Sequence, residues 1–268
     1  FYKKVGYYLN LKNPKSFNEK INWIKLNYFQ PDMARCVDKY EFKKYIEEKL
    51  GPGYTLPLYG AWDYESDIDF DALPDKFVLK SNVQSDGKHI IVVRDKSKLD
   101  IDKLRTVLST WLVTKNTMLV SYCAAYHDVK PMIIAEQYLE GFDDSVTDYK
   151  FMCFNGQPQL LFVATDRYSD MRMNFYDLDW NLLPFTRIYP ITDEPIPKPK
   201  NFDRMLEISK TLAKDFPFVR VDFYETADSE KIYLGEMTFY PGGGLEPFTP
   251  VEWDYKLGDM LELPEANC

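Results

Sequence analysis

The sequence predicts an α+β fold, and three observations carry that expectation. Residues 1–55 have amphipathic, helical patterning with recognisable caps. After Pro57 the texture changes to short apolar runs bounded by turn signals, which read as strands. Helical stretches at residues 100–116 and after Asn201 interrupt these mostly antiparallel strands.

The elements follow in order. Ser16 and Glu19 make a capping box ahead of Ile21, Trp23, Ile24 and Leu26. Asp32 caps a second helix carrying Cys36, Val37, Tyr40, Phe42 and Ile46, and Gly51 stops it. Residues 63–75 are acidic and loop-like. Residues 76–80 and 88–93 read as strands joined by the polar segment 81–87. Residues 100–116 place Ile101, Leu104, Val107, Leu108, Trp111 and Leu112 on one helical face. An apolar run at 131–139 reads as a buried strand. Residues 149–154 and 159–164 are strands joined by Asn155-Gly156, a strong hairpin signal. Five prolines in residues 184–200 predict an extended crossing segment. Asn201 caps a helix to about Phe216, and a last hairpin pairs residues 218–224 with 232–237 before Gly242-Gly243-Gly244.

Composition narrows the function. The chain has 268 residues, enough for two lobes, and a net charge of −9, which disfavours a nucleic-acid or anionic-membrane binder. With only His89 and His127, a histidine-rich metal site cannot be built. Cys36, Cys123, Cys153 and Cys268 have neither zinc nor disulfide spacing and read as free thiols of a reducing compartment. No stretch approaches the ~18 apolar residues of a membrane-spanning helix. The chain begins at Phe1 rather than Met, which leaves room for an upstream segment.

The chemistry-bearing residues concentrate on the last hairpin. Arg220 and Asp222 share one strand face, and Glu236 and Thr238 share a face of the next. A turn centred near Asp228 sets Arg220 opposite Glu236 and makes Asp222 and Glu236 diagonal neighbours, roughly 7–8 Å apart. Two carboxylates at that distance suit one hard cation, with Arg220 beside them for a phosphate. A solvated Arg–Glu face is the bland alternative on spacing alone. Lys80 ends an apolar strand where a polar loop opens, a place for a phosphate contact or simply an exposed lysine. The stretch Glu136, Gln137, Tyr138, Leu139 and Glu140 ends at Gly141, and strand-end backbone there can meet an adenine edge. Asp148 and Lys150 share a face of the following strand. The glycine run offers N–H groups to an anion or forms a flexible turn. His89 and His127 read as bystanders, and Trp62, Trp111, Trp180 and Trp253 read as core.

In this order the pieces resemble the ATP-grasp fold, and most of all its TupA-like branch, found with teichuronopeptide and capsular polysaccharide biosynthesis. The marks are Asn13-Pro14-Lys15-Ser16-Phe17-Asn18-Glu19-Lys20, Asp38-Lys39-Tyr40, Leu73-Pro74 with Phe77-Val78-Leu79-Lys80, Asp148-Tyr149-Lys150 with Phe154-Asn155-Gly156, and Gly235-Glu236-Met237-Thr238-Phe239-Tyr240-Pro241. The resemblance implies two α+β lobes gripping a nucleotide between antiparallel sheets. They would be a helical N-terminal region at 1–57, a small lobe with a lid at 58–135, and a large lobe with a metal site at 136–268. It implies ATP and one or two Mg²⁺ ions. Lys80 and Lys150 would contact the phosphates, Lys80 also serving catalysis. Glu136, Gln137 and Leu139 would line the adenine, Glu140 the ribose, with Tyr138 and Asp148 in the nucleotide set. Ser85, Gly87 and Lys88 would form the lid. Asp222, Glu236 and Thr238 would hold metal, and Arg220 would stabilise an acyl phosphate. Relatives often carry Glu-x-Asn where Glu236-Met237-Thr238 stands, and a His-Gly-Ser-Gly-like lid where Val83-Gln84-Ser85-Asp86-Gly87 stands.

The implied activity is an ATP-dependent carboxylate–amine ligase. Its partners would be a small amine and a carboxylate-bearing glycan or sugar-nucleotide, in the cytoplasm or at the inner membrane face. The alternatives are a glycan kinase, a glycosyltransferase using Asp143-Asp144 or Asp177-Leu178-Asp179, and a non-catalytic nucleotide binder.

Overall fold

In the computed structural model, residues 1–84, 89–113, 123–139, 147–165, 171–192, 194–226 and 231–267 are described. Helices α1 (Tyr2–Val5), α2 (Phe17–Asn27), α3 (Pro31–Val37) and α4 (Lys39–Leu50) come first. Strands β1 (Leu58–Trp62), β2 (Phe77–Ser81) and β3 (Ile90–Val93) precede helix α5 (Ile101–Val113) and strand β4 (Ile133–Gln137). Strands β5 (Thr147–Phe154), β6 (Gln157–Thr165) and β7 (Arg172–Asp177) are followed by helix α6 (Phe202–Ala213). Strands β8 (Phe218–Glu225) and β9 (Ile232–Thr238) and helix α7 (Glu252–Met260) complete the order. Two compact units result, one of Pro31–Phe142 and one of Phe1–Gln30 with Asp143–Cys268.

The first unit holds an antiparallel sheet in the order β1-β4-β2-β3. Side chains alternate along a strand, so Phe77 and Leu79 of β2 join Ile133 and Ala135 of β4 on one face. That face is sealed by Leu104, Leu108 and Trp111 of α5. Val78, Lys80, Ile134 and Glu136 therefore belong to the opposite face. The single helix expected from Asp32 onward is two helices, because Asp38 interrupts it. Its carboxylate accepts the Tyr40 N–H at 2.9 Å and the Asn82 side-chain amide at 3.0 Å, starting α4 afresh.

The second unit holds the antiparallel sheet β7-β6-β5-β8-β9. Asn155 and Gly156 both take positive φ, as the tight β5–β6 turn requires. Helix α6 covers one face, with Phe202 packed on Phe151 of β5. Asn201 precedes α6 without capping it, and its side chain instead donates to Glu225 at 2.8 Å. The capping box of α2 forms as expected. The glycine run is not a loose turn. Gly242, Gly243 and Gly244 all sit at positive φ. The carbonyls of Gly243 and Gly244 accept from Lys25 Nζ at 2.6 Å and Asn22 Nδ2 at 2.8 Å on α2. Cys36, Cys123 and Cys153 are buried free thiols, and Cys268 lies outside the described residues.

Candidate functional site

Charged side chains gather in two places, one in each unit. The larger cluster stands on the face of the β5–β8–β9 sheet opposite to α6. Lys150 pairs directly with Asp222, and Asp222 directly with Glu236, so the three form one row across three strands. Arg220 pairs with Thr238 in the next row. The diagonal arrangement expected from a turn at Asp228 is thus corrected. The hairpin loop is one residue longer in register, and a bulge between Asp222 and Phe223 adds the second step by passing over Gly235. Without that bulge Glu236 would turn to the far face of the sheet. A β-carbon at Gly235 would lie 2.5 Å from the Tyr224 ring, so glycine is the residue that admits this close approach.

The bonds within the cluster are short and charge-assisted. Arg220 grips Asp222 through two N–H groups, both at 2.7 Å, and reaches Glu236 at 2.7 Å. Lys150 Nζ donates to Asp222 and lies 2.8 Å from Asp148 Oδ2. Thr238 donates its hydroxyl to Glu236 at 3.2 Å. The Asp222 side chain is fully buried, whereas Glu236 is 34 % exposed. Burial pushes the Asp222 carboxyl up, but the Arg220 and Lys150 charges outweigh it and hold Asp222 well below the usual carboxylate range. Burial pulls the Arg220 guanidinium down, but Asp222, Glu236 and Asp148 lock it in its charged form. The Arg220 guanidinium also lies 5.7 Å from the centre of the Phe162 ring.

The second cluster stands on the β2–β4 face opposite to α5. Glu136 is nearly buried and carries one lysine on each oxygen. Lys80 of β2 lies 2.5 Å from Oε2, and Lys43 of α4 lies 2.7 Å from Oε1. Burial raises the Glu136 carboxyl, yet the two lysines bring it down to about 2. Gln137, Tyr138 and Leu139 follow, half-buried, and the Gln137 N–H donates to the Pro57 carbonyl at 2.9 Å. The Lys76 ammonium lies 5.9 Å from the Tyr138 ring centre. Glu140, Asp143, Asp144 and the lid residues Ser85, Gly87 and Lys88 lie outside the described residues.

Sequence reasoning missed Lys43, since nothing in α4 sets it apart from its neighbouring lysines until α4 meets β4. It also missed Arg187, a buried guanidinium 2.6 Å from Glu246 and 5.0 Å from the Phe248 ring centre. The Asp177 carboxylate accepts from the backbone of Asp179 and Asn181, so it serves a turn. His89 packs edge-on against Trp111, and His127 is exposed beside Asp128.

A family model described as TupA-like ATPgrasp matches residues 19–262. The chain belongs to the TupA-like ATP-grasp family. Its fold is similar to that of D-alanine–D-alanine ligase from Bacillus anthracis, with a TM-score of 0.50 at 17 % identity. That match covers 91 % of this chain and 72 % of the other. The structure of the same enzyme complexed with ATP matches at 0.47 and 17 %, over 84 % of this chain and 63 % of that one. An L-amino acid ligase from Bacillus licheniformis matches at 0.49 and 14 %, over 88 % and 52 %. The chain thus spans from about half to under three quarters of the length of these ligases. No curated protein matches the sequence.

Among the described residues no group of three or more His, Cys, Asp or Glu side chains is gathered to cage a metal. Asp222 and Glu236 are two carboxylates side by side, the residues that could offer oxygen atoms to a hard cation. That number fits a magnesium ion shared with substrate phosphates, which keeps most of its coordination off the protein.

Proposed function

We propose that the protein is an ATP-dependent ligase that joins a carboxylate to an amine through an acyl phosphate. The carboxylate would be a uronic acid or similar group in cell-surface polysaccharide biosynthesis. The observation that carries this reading is the row Lys150–Asp222–Glu236 with Arg220, two acids and two bases on one sheet face. Family membership adds the nucleotide.

In this reading a substrate carboxylate oxygen attacks the γ-phosphorus of ATP, and ADP leaves with the electrons of the broken P–O bond. The amine then attacks the acyl carbon, phosphate departs, and the nitrogen loses a proton. Phosphoryl transfer needs positioning and charge neutralisation more than covalent help from the protein. Lys80 and Lys150 hold phosphate oxygens as point charges, and Arg220 steadies the acyl phosphate with its planar fork. Glu136, Gln137 and Leu139 line the base. Asp222 and Glu236, with Thr238 beside them, are the residues that would hold magnesium, which when bound neutralises phosphate charge.

Thermal melts with Mg-ATP and with UDP-sugars discriminate between the classes. A ligand at 100 times its Kd stabilises by about 2.7 kcal/mol. Stabilisation by ATP and not by UDP-sugars supports the reading; the reverse result points to a glycosyltransferase and overturns it. Product mass separates the kinase, which adds one phosphate to the acceptor, from the ligase, which adds the amine less one water.

A further inference from the structure

We propose that Lys43 is a substitute counter-ion for Glu136 that frees Lys80 to engage nucleotide phosphates. The inference rests on the assignment of Lys80 to those phosphates.

Glu136 is ionised and nearly buried, so it needs a cation at all times. A buried carboxylate with Lys80 as its single partner would hold that lysine fast, because departure would strand a desolvated charge. Here the two oxygens are served separately, Oε1 by Lys43 and Oε2 by Lys80. Lys80 can therefore turn away while Oε1 keeps its partner. The two lysines are also anchored differently. Lys43 Nζ donates to the Leu56 carbonyl at 2.6 Å as well as to Glu136, which ties it to the chain just before β1. Among the described residues Lys80 has Glu136 as its partner and two donor positions to spare. The two ammonium groups repel each other across the carboxylate, which biases the less anchored one outward. Lys43 is in this sense a positioning residue that acts through Glu136 on Lys80.

The test is a double-mutant cycle on nucleotide affinity, read by calorimetry with ATP and with adenosine. Lys43→Met is expected to weaken ATP at least about tenfold, the scale of coupling between residues that share a partner. Adenosine, which lacks phosphates, is expected to change by less than about twofold. In the Glu136→Gln background, Lys43→Met is expected to change ATP affinity by less than about twofold, since the carboxylate through which it acts on Lys80 is gone. Lys43→Arg is expected to restore ATP affinity. Should Lys43→Met not fold, Lys43→Gln carries the same expectations. An equal loss of ATP affinity in both backgrounds, or an equal loss for ATP and adenosine, would show a purely structural lysine and overturn the proposal. Wild-type affinity in Lys43→Met would overturn it as well. If the wild-type chain binds no ATP, or Lys80→Met binds it as well as wild type, the nucleotide assignment itself fails.

Discussion

Asp222 and Glu236 face one another on adjacent strands, yet they should respond differently to loss of charge. Asp222 is fully buried and neutralises Arg220 and Lys150 together. Asp222→Asn leaves two buried cations short of their partner, so unfolding free energy should fall by about 3–5 kcal/mol. Glu236 is 34 % exposed, and Arg220 keeps Asp222 when it goes. Glu236→Gln should change stability by no more than about 1 kcal/mol. Urea titrations of both variants check this contrast. Glu136 adds a pH dependence with a definite sign. Its carboxyl is depressed from 4.5 to about 2, so its stabilisation is present above pH 4.5 and is lost as pH falls toward 2. The stability gap between wild type and Glu136→Gln, on the order of 3 kcal/mol at neutral pH, should close across that window. A gap that stays constant from pH 6 to 2.5 would refute the pairing of Glu136 with its two lysines.

Strand β9 shows what an element contributes beyond its residues. The bulge that passes over Gly235 turns Glu236 onto the face of Asp222. Gly235→Ala would press a β-carbon onto the Tyr224 ring, 2.5 Å away, and should cost about 1–3 kcal/mol and most of the activity. Helix α7 meets α2 through a second close approach, where a β-carbon on Gly258 would lie 2.0 Å from the Lys15 carbonyl. Gly258→Ala should lower the melting temperature by several degrees, roughly 2–4 °C per kcal/mol in a chain of this size. The sequence announced the capping box of α2, the Asn155-Gly156 turn and the apolar face of α5, because each follows from local chemistry. It did not announce β1 or β7, whose residues lack clean alternation, nor the bulge, which depends on how Tyr224 meets Gly235. The break at Asp38 was hidden because helical periodicity continues on both sides of it.

Across the whole chain, the ordered set of motifs was legible while the pairings within the site were not. Lys80, Lys150, Arg220, Asp222 and Glu236 could be picked out by type and spacing. Their row-by-row register, and Lys43 as the second lysine on Glu136, depend on contacts between residues 43, 80 and 136 or 150, 222 and 236 that no local pattern encodes. The net charge of −9 is compatible with a phosphate ligand, since the cations needed are few and placed on two sheet faces. Among the described residues no helix is long and apolar enough to cross a membrane. Carboxylate–amine ligation is measured by ADP release from Mg-ATP in the presence of a uronic-acid glycan and a panel of amines. ADP and phosphate are expected only when both substrates are present, with an amide product by mass and a loss of about 100-fold or more in Glu236→Gln. No substrate-dependent ADP release across the panel, or wild-type turnover in Glu236→Gln, would contradict the ligase reading.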